Sequence, residues 1–153
     1  SAGKWEQLSI DDPTEMAARI AEPHFKSFFI IPLLVSHFAQ HYWRKKKRGG
    51  LIVNISSHVA VKPYLPGNLT YGPMKAASRH LMLSLRNELK GFGIRVTDLQ
   101  PAIVRTKGNA SVLKTKFMEK AAVQPEEISK WIISNFHKKN LPAEKLFDSD
   151  VVV

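Results

Sequence analysis

Cysteine is absent from this chain of 153 residues, which excludes disulfides and thiolate metal sites within it. Long apolar runs are also absent, since none approaches the roughly 18 residues of a membrane-spanning helix. The most apolar run, at 28–35, is interrupted by Pro32 and is followed by polar residues. We therefore predict a buried helix there and no membrane partner.

Acidic residues are scarce beside basic ones, 13 against 23, and the formal net charge is +10. The dense basic cluster Arg44–Arg48 precedes a Gly-Gly pair, where cations complement the negative end of a helix dipole. A solvated helix terminus is one interpretation, and a localisation signal or nucleic-acid contact is the other. No aromatic residues alternate with basic ones along a strand, so the sequence does not favour nucleic acid as a partner.

Size and composition indicate one globular domain. At 44% hydrophobic residues, the chain is long enough for a core, and we expect residues 1–153 to form a single domain. No secretory signal is visible, which favours an intracellular location. The sequence does not choose between cytoplasm and organelle.

Tyr71 and Lys75, four residues apart, form the most informative pattern in the chain. Leucines at helical spacing after them predict a helix over 70–90, and residues at i and i+4 share one face of it. An ammonium beside a phenol favours the phenolate, so we expect Lys75 to lower the pKa of Tyr71 from its usual value of about 10. A tyrosine tuned in this way can act as a general acid or base.

Two predicted strands flank that helix. Leu51–Ile55 is apolar and β-branched and leads into Ser57, and Ile94–Gln100 leads into the segment that contains Thr106. Strands joined through a helix predict a parallel sheet, whose ligands bind beyond the carboxyl ends of the strands. We therefore expect Ser57, Thr106 and the start of the Tyr71 helix to meet at one edge of the sheet.

Four further elements are predicted. A long helix resumes after a break at Pro23 and covers 24–46. Residues 107–122 are polar and basic and are predicted to be helical in part. An amphipathic helix begins at Pro125 and ends near Asn140. A last strand is predicted at 150–153.

Strand, serine, Y-x-x-x-K helix, strand and P-x-x-V-x-T, in this order, resemble the short-chain dehydrogenase/reductase family. The resemblance covers most of residues 1–106. It implies an α/β fold with a Rossmann-like, doubly wound parallel sheet. It also implies NAD or NADP as cofactor and hydride transfer between the nicotinamide and a small carbonyl or alcohol substrate.

The resemblance also implies roles for individual residues. Tyr71 would protonate the carbonyl oxygen or deprotonate the alcohol, and Ser57 would hold that oxygen as charge develops. Ser57 is preferred to Ser56 because the family's serine is usually the second of such a pair. A hydroxyl that only caps a helix is the alternative for Thr106. The resemblance assigns cofactor binding to Tyr71, Lys75, Pro101, Ile103 and Thr106.

Two features depart from the family. Its catalytic asparagine, in an N-x-x-G-x-F context, corresponds to His24, with Ser27 in place of the glycine. His24 is therefore a fourth candidate catalytic residue, either relaying protons through a water or simply packing. The family's glycine-rich phosphate-binding loop is missing, and Gly91-x-Gly93 has the wrong polarity to replace it.

The missing loop predicts that this chain is the catalytic, substrate-side half of the fold, without the first strands. The strand at 51–55 would then expose an unpaired edge, covered by an upstream half or by another chain. We expect a homodimer or homotetramer packed through the helices at 24–46 and 70–90. The alternative to the oxidoreductase is a catalytically decayed member of the family that serves as a structural subunit of a larger assembly.

Overall fold

A parallel sheet and four α-helices make up most of the computed structural model, which describes residues 6–62, 69–110, 113, 119 and 122–147. Within these residues the sheet has three strands, in the order β1–β2–β3. The strands are β1 (Gly50–Ile55), β2 (Ile94–Pro101) and β3 (Glu144–Phe147). The helices are α1 (Thr14–Phe25), α2 (Ile31–Lys45), α3 (Tyr71–Glu88) and α4 (Pro125–Asn135).

Helices cover both faces of the sheet. Side chains alternate along β2, so it contributes apolar residues to a core on each face. On one face, Ile94 and Val96 pack with Met82 of α3. On the other face, Leu99 packs with Ile128 of α4. The parallel sheet between helices is the architecture that the strand and helix patterns predict.

The N-terminal helices form one continuous helical path. A π-helical turn, Lys26–Ile30, joins α1 to α2 without a break. The predicted interruption at Pro23 is thus displaced: α1 runs through the proline, and the irregular turn begins three residues later. Such turns adjust the direction of side chains locally and are frequent near functional sites.

A glycine is required where β1 starts beside α2. A β-carbon at Gly50 would lie 2.3 Å from Cε3 of Trp43, well inside van der Waals contact. Trp43 itself packs against the core between β1 and α3. The Gly-Gly pair after the basic cluster therefore lets the strand approach the helix that precedes it.

The predicted boundaries hold to within two residues for β1, β2 and α3. The helix expected to end near Asn140 ends at Asn135, because the Asn135 side chain donates to the carbonyl of Trp131 at 2.7 Å and the next turn tightens. The expected strand at 150–153 lies outside the described residues. The sequence analysis missed β3. In the described part of 107–122, the 3₁₀ turn Lys107–Asn109 and the single residue Glu119 are helical.

The predicted exposed edge is present within the described residues. There β1 pairs only with β2, and Ile55 keeps 47% of its surface exposed.

At the end of α2, in the basic cluster, the guanidinium of Arg44 lies 4.2 Å from the ring centroid of Phe92. No helix among the described residues is long and apolar enough to cross a membrane.

Candidate active site

The two halves of α3 have different surroundings: the C-terminal half packs in the apolar core, and the N-terminal half lies beside the polar ends of the strands. Its C-terminal half contributes Met82 to the apolar core. Its N-terminal half carries Tyr71, Lys75 and Arg79 at successive i, i+4 positions, so the three lie along one face. Polar side chains at the carboxyl ends of the strands approach this face.

Ser57 and Tyr71 are joined by a side-chain hydrogen bond. Ser57 leaves β1 in an extended conformation and precedes a 3₁₀ turn, where its Oγ accepts the N–H of Val59 at 3.4 Å. Burial raises the pKa of Tyr71, and the hydrogen bond with Ser57 partly opposes that rise. The lowered pKa expected from the Y-x-x-x-K spacing is therefore wrong for this structure: burial outweighs the neighbouring polar groups.

Lys75 reaches the end of β1 from α3. Its Nζ donates to the carbonyl of Ile55 at 3.0 Å and lies 5.8 Å from the ring centroid of Tyr71. The ring centroid of Phe28 is 4.6 Å from the same nitrogen. Burial lowers the pKa of Lys75 to about 8, although the charge of Asp98 acts in the opposite direction.

His24 belongs to the same group of residues. It is buried, with 2% of its surface exposed, and its Nδ1 lies 2.8 Å from Oγ1 of Thr70. The backbone N–H of Glu6 donates to its Nε2 at 3.4 Å. The imidazole meets the Tyr71 ring edge-on, with centroids 6.2 Å apart. His24 thus lies against the Tyr71 ring. This position is compatible with both predicted roles, proton relay and packing.

Ser56, the serine that the sequence analysis did not prefer, is hydrogen-bonded to β2. Its hydroxyl donates to Oδ2 of Asp98 at 2.5 Å, and its N–H donates to the carbonyl of Leu99 at 2.9 Å. It is buried, with 3% of its surface exposed.

Asp98 is the site residue that the sequence analysis missed. It is fully buried on β2, and burial raises the pKa of its carboxyl while hydrogen bonds from Ser56, Asn54 and Gln100 lower it. The available signal was an acidic residue inside a predicted strand, because such residues are almost never buried without partners.

The predicted cofactor-binding residues at the end of β2 and beyond it differ in burial and in their hydrogen bonds. Pro101 is buried at the end of β2, and the carbonyl of Ile103 accepts the N–H of Val123 at 2.8 Å. Thr106 is exposed and precedes a 3₁₀ turn without capping it by its side chain. Because the Thr106 side chain makes no capping hydrogen bond, the cap alternative is wrong, and the cofactor-binding role of Thr106 stays a prediction.

Comparison with known proteins identifies the family. Residues 14–116, well over half of the chain, match the short chain dehydrogenase family. The chain belongs to this family. The matched region contains the serine, the Y-x-x-x-K helix and the P-x-x-V-x-T segment.

Two curated relatives are dehydrogenases. The chain is 34% identical over 99 residues to the NADP-dependent 3-hydroxy acid dehydrogenase of Escherichia coli (strain K12), covering 58% of this chain and 40% of the relative. It is 46% identical over 70 residues to serine 3-dehydrogenase of Agrobacterium fabrum (strain C58), covering 41% of this chain and 28% of the relative. The chain thus spans less than half the length of these two relatives.

Solved structures share the Rossmann-like fold. A 4-hydroxyisoleucine dehydrogenase mutant complexed with NADH and succinate superposes with a TM-score of 0.80 at 18% identity, over 96% of this chain and 64% of that chain. A short chain dehydrogenase from Burkholderia cenocepacia in complex with NADP gives 0.77 at 17% identity, over 97% and 57%. At these identities the likeness establishes the fold, and the α/β prediction is confirmed.

Proposed function

We propose that this chain carries the proton-transfer site of an NAD(P)-dependent oxidoreductase that interconverts a carbonyl and an alcohol. The observation that carries the proposal is the hydrogen bond between Ser57 and Tyr71, with the ammonium of Lys75 beside the same ring. A hydroxyl, a phenol and an amine at the carboxyl ends of parallel strands lie where ligands bind in such sheets.

Tyr71 is the proton donor in the direction of carbonyl reduction. Burial keeps its phenol protonated, because the raised pKa disfavours the phenolate. Once the proton is given to the substrate oxygen, the cation of Lys75 and the hydroxyl of Ser57 stabilise the phenolate that remains. With a pKa of about 8, Lys75 can lose or take up a proton near neutrality and so restore the phenol.

The described residues fit the nicotinamide end of the cofactor. An ammonium can donate three hydrogen bonds, and Lys75 gives one of them to Ile55, so it can also bind a ribose hydroxyl. The exposed hydroxyl of Thr106 can bind a carboxamide. The bound nicotinamide would supply or accept the hydride. The phosphates have no glycine-rich loop in this sequence to bind them.

A comparison of two tyrosine variants tests the proposal. Turnover of 3-hydroxy acids and serine is followed by NADPH and NADH absorbance, in the wild type and in Tyr71→Phe. We expect Tyr71→Phe to lose about 10²- to 10⁴-fold in kcat, the usual contribution of a general acid, while keeping cofactor affinity. Tyr42→Phe, on the exposed surface of α2, is the matched control and should keep full activity.

The structural-subunit alternative predicts a different result. One observation favours it: the histidine at the asparagine position. If neither NADH nor NADPH binds saturably, and Tyr71→Phe behaves like wild type, the oxidoreductase proposal is wrong for this chain.

Self-association is the second part of the proposal. Large apolar side chains on α2 are exposed, with Leu34 at 61%, Val35 at 62% and Phe38 at 74%. Beside them, Phe29 and the α3 residues Ala76, Ala77 and Leu81 line a concavity of about 620 Å³. We propose that a second copy covers this face, giving a homodimer or homotetramer. Sedimentation should show Phe38→Glu to be monomeric where the wild type is not, and Ile133→Glu, on the exposed surface of α4, serves as the control.

A further inference from the structure

We propose that Asp98 is a positioning residue for the Ser57–Tyr71–Lys75 site, acting through Ser56 on the segment that leaves β1. The inference rests on the proposed function of that site, but its supporting contacts are separate from it. Asp98 lies one strand away from the segment that it holds.

The carboxylate of Asp98 ties two residues of the β1 end to β2. Its Oδ2 accepts the hydroxyl of Ser56 at 2.5 Å, and its Oδ1 accepts the amide of Asn54 at 2.6 Å. Asn54 is also the residue that pairs with Asp98 in the sheet register. Because Asp98 is fully buried, no water competes for these bonds.

Ser56 lies between the two atoms that the site needs in place. The carbonyl of Ile55, just before it, accepts Lys75 Nζ at 3.0 Å. The hydroxyl of Ser57, just after it, is hydrogen-bonded to Tyr71. The Ser56 N–H is bound to Leu99 and its hydroxyl to Asp98, so backbone and side chain together fix the orientation of both neighbours.

Charged groups from three elements surround Asp98. Lys75 interacts with it from α3 and Glu144 from β3, and Arg79 of α3 binds Glu144. The amide of Gln100 bridges the two carboxylates, at 3.2 Å to Asp98 and 2.7 Å to Glu144, and Arg79 pairs with Glu144. From α1, His24 faces the site across the Tyr71 ring. Two acids thus balance two cations beneath the site.

Two variants separate the charge of Asp98 from its hydrogen bond. Asp98→Asn removes the charge and replaces one acceptor oxygen with a donor. Ser56→Ala removes the bond and keeps the charge. A misplacement of about 1 Å can lower a rate by about 10²-fold, so we expect either variant to lose ~10- to 100-fold in kcat with a smaller change in KM.

The titration of Lys75 gives a readout that does not depend on turnover. The full chain is labelled with ¹⁵Nζ-lysine, and the Lys75 signal is assigned by its loss in Lys75→Arg. Because the Asp98 charge raises the pKa of Lys75, Asp98→Asn should titrate below about 8, whereas Ser56→Ala should titrate like the wild type. The matched control is Thr97→Val, which lies next to Asp98, is equally buried, and has no hydrogen-bond partner for its hydroxyl among the described residues.

The outcomes distinguish this inference from the proposed function. An inactive chain contradicts the oxidoreductase, and in such a chain the inference is supported if the pKa of Tyr71, followed by ¹³Cζ-tyrosine titration, rises in both Asp98→Asn and Ser56→Ala because the bond from Ser57 is loosened. An active chain in which Asp98→Asn and Ser56→Ala both behave like Thr97→Val overturns the inference. Additive effects in the double variant also overturn it, because residues that act through one bond are not additive.

Discussion

Replacing Lys75 by methionine should stabilise the protein at pH 7, because the lysine is held where its charge is poorly solvated. The difference between its ordinary pKa of 10.5 and about 8, at 1.36 kcal/mol per pKa unit, corresponds to about 3.4 kcal/mol. Methionine forfeits the hydrogen bond to Ile55, about 1 kcal/mol, and the contact with the Phe28 ring, about 0.5–1 kcal/mol. Screening at the partly exposed side chain reduces the remainder to about 1 kcal/mol.

The gain should depend on pH in a defined direction. The folded pKa of Lys75 is below its unfolded value, so its cost is complete below about pH 8 and disappears as the pH rises towards 10.5. Urea unfolding of wild type and Lys75→Met is therefore compared at pH 7 and about pH 9.5. We expect a gain of about 1 kcal/mol at pH 7 that falls to about zero at the higher pH.

Lys90→Met is the matched control, because Lys90 is an exposed lysine just beyond the end of α3. Its effect should stay within about 0.5 kcal/mol at both pH values. A Lys75→Met protein that is no more stable at pH 7, or equally stabilised at both pH values, would refute the reasoning that burial of the ammonium dominates.

Two further predictions concern the site and the fold. Ser57→Ala should raise the pKa of Tyr71 further, because the lost hydrogen bond favours the phenolate; ¹³Cζ-tyrosine titration measures this, and an unchanged or lower pKa contradicts it. Gly50→Ala should destabilise by about 1–3 kcal/mol, because the new methyl meets Trp43 at 2.3 Å. In Gly108→Ala the new methyl would lie 3.8 Å from Oγ1 of Thr106, so the urea stability should change by less than about 0.5 kcal/mol; equal effects of the two substitutions would contradict the packing argument.

The sequence predicted the sheet and its site edge because those features depend on local patterns. Apolar β-branched runs and a helical leucine spacing place β1, β2 and α3 to within two residues. Parallel strands then bring Ser57 and the start of α3 to the same edge, since their carboxyl ends point the same way. The family resemblance indicated His24 as a candidate catalytic residue, and in the structure its ring contacts that of Tyr71.

The short strand β3 was beyond local patterns, because its residues Glu144–Phe147 are polar and apolar in no clear strand alternation. What makes them a strand is pairing with β2. Strand propensity expresses fit against neighbours more than an intrinsic preference of the backbone.

The sequence by itself determined which residue types are available for the proposed chemistry and at what spacing they occur. Only the tertiary structure decided their ionisation, since burial depends on neighbours distant in the chain. Tyr71 lies four residues from Lys75, yet burial rather than that ammonium sets the direction of its pKa. The role that we propose for Asp98 depends on Ser56, 42 residues away, because a hydrogen bond forms only where folding brings two groups together.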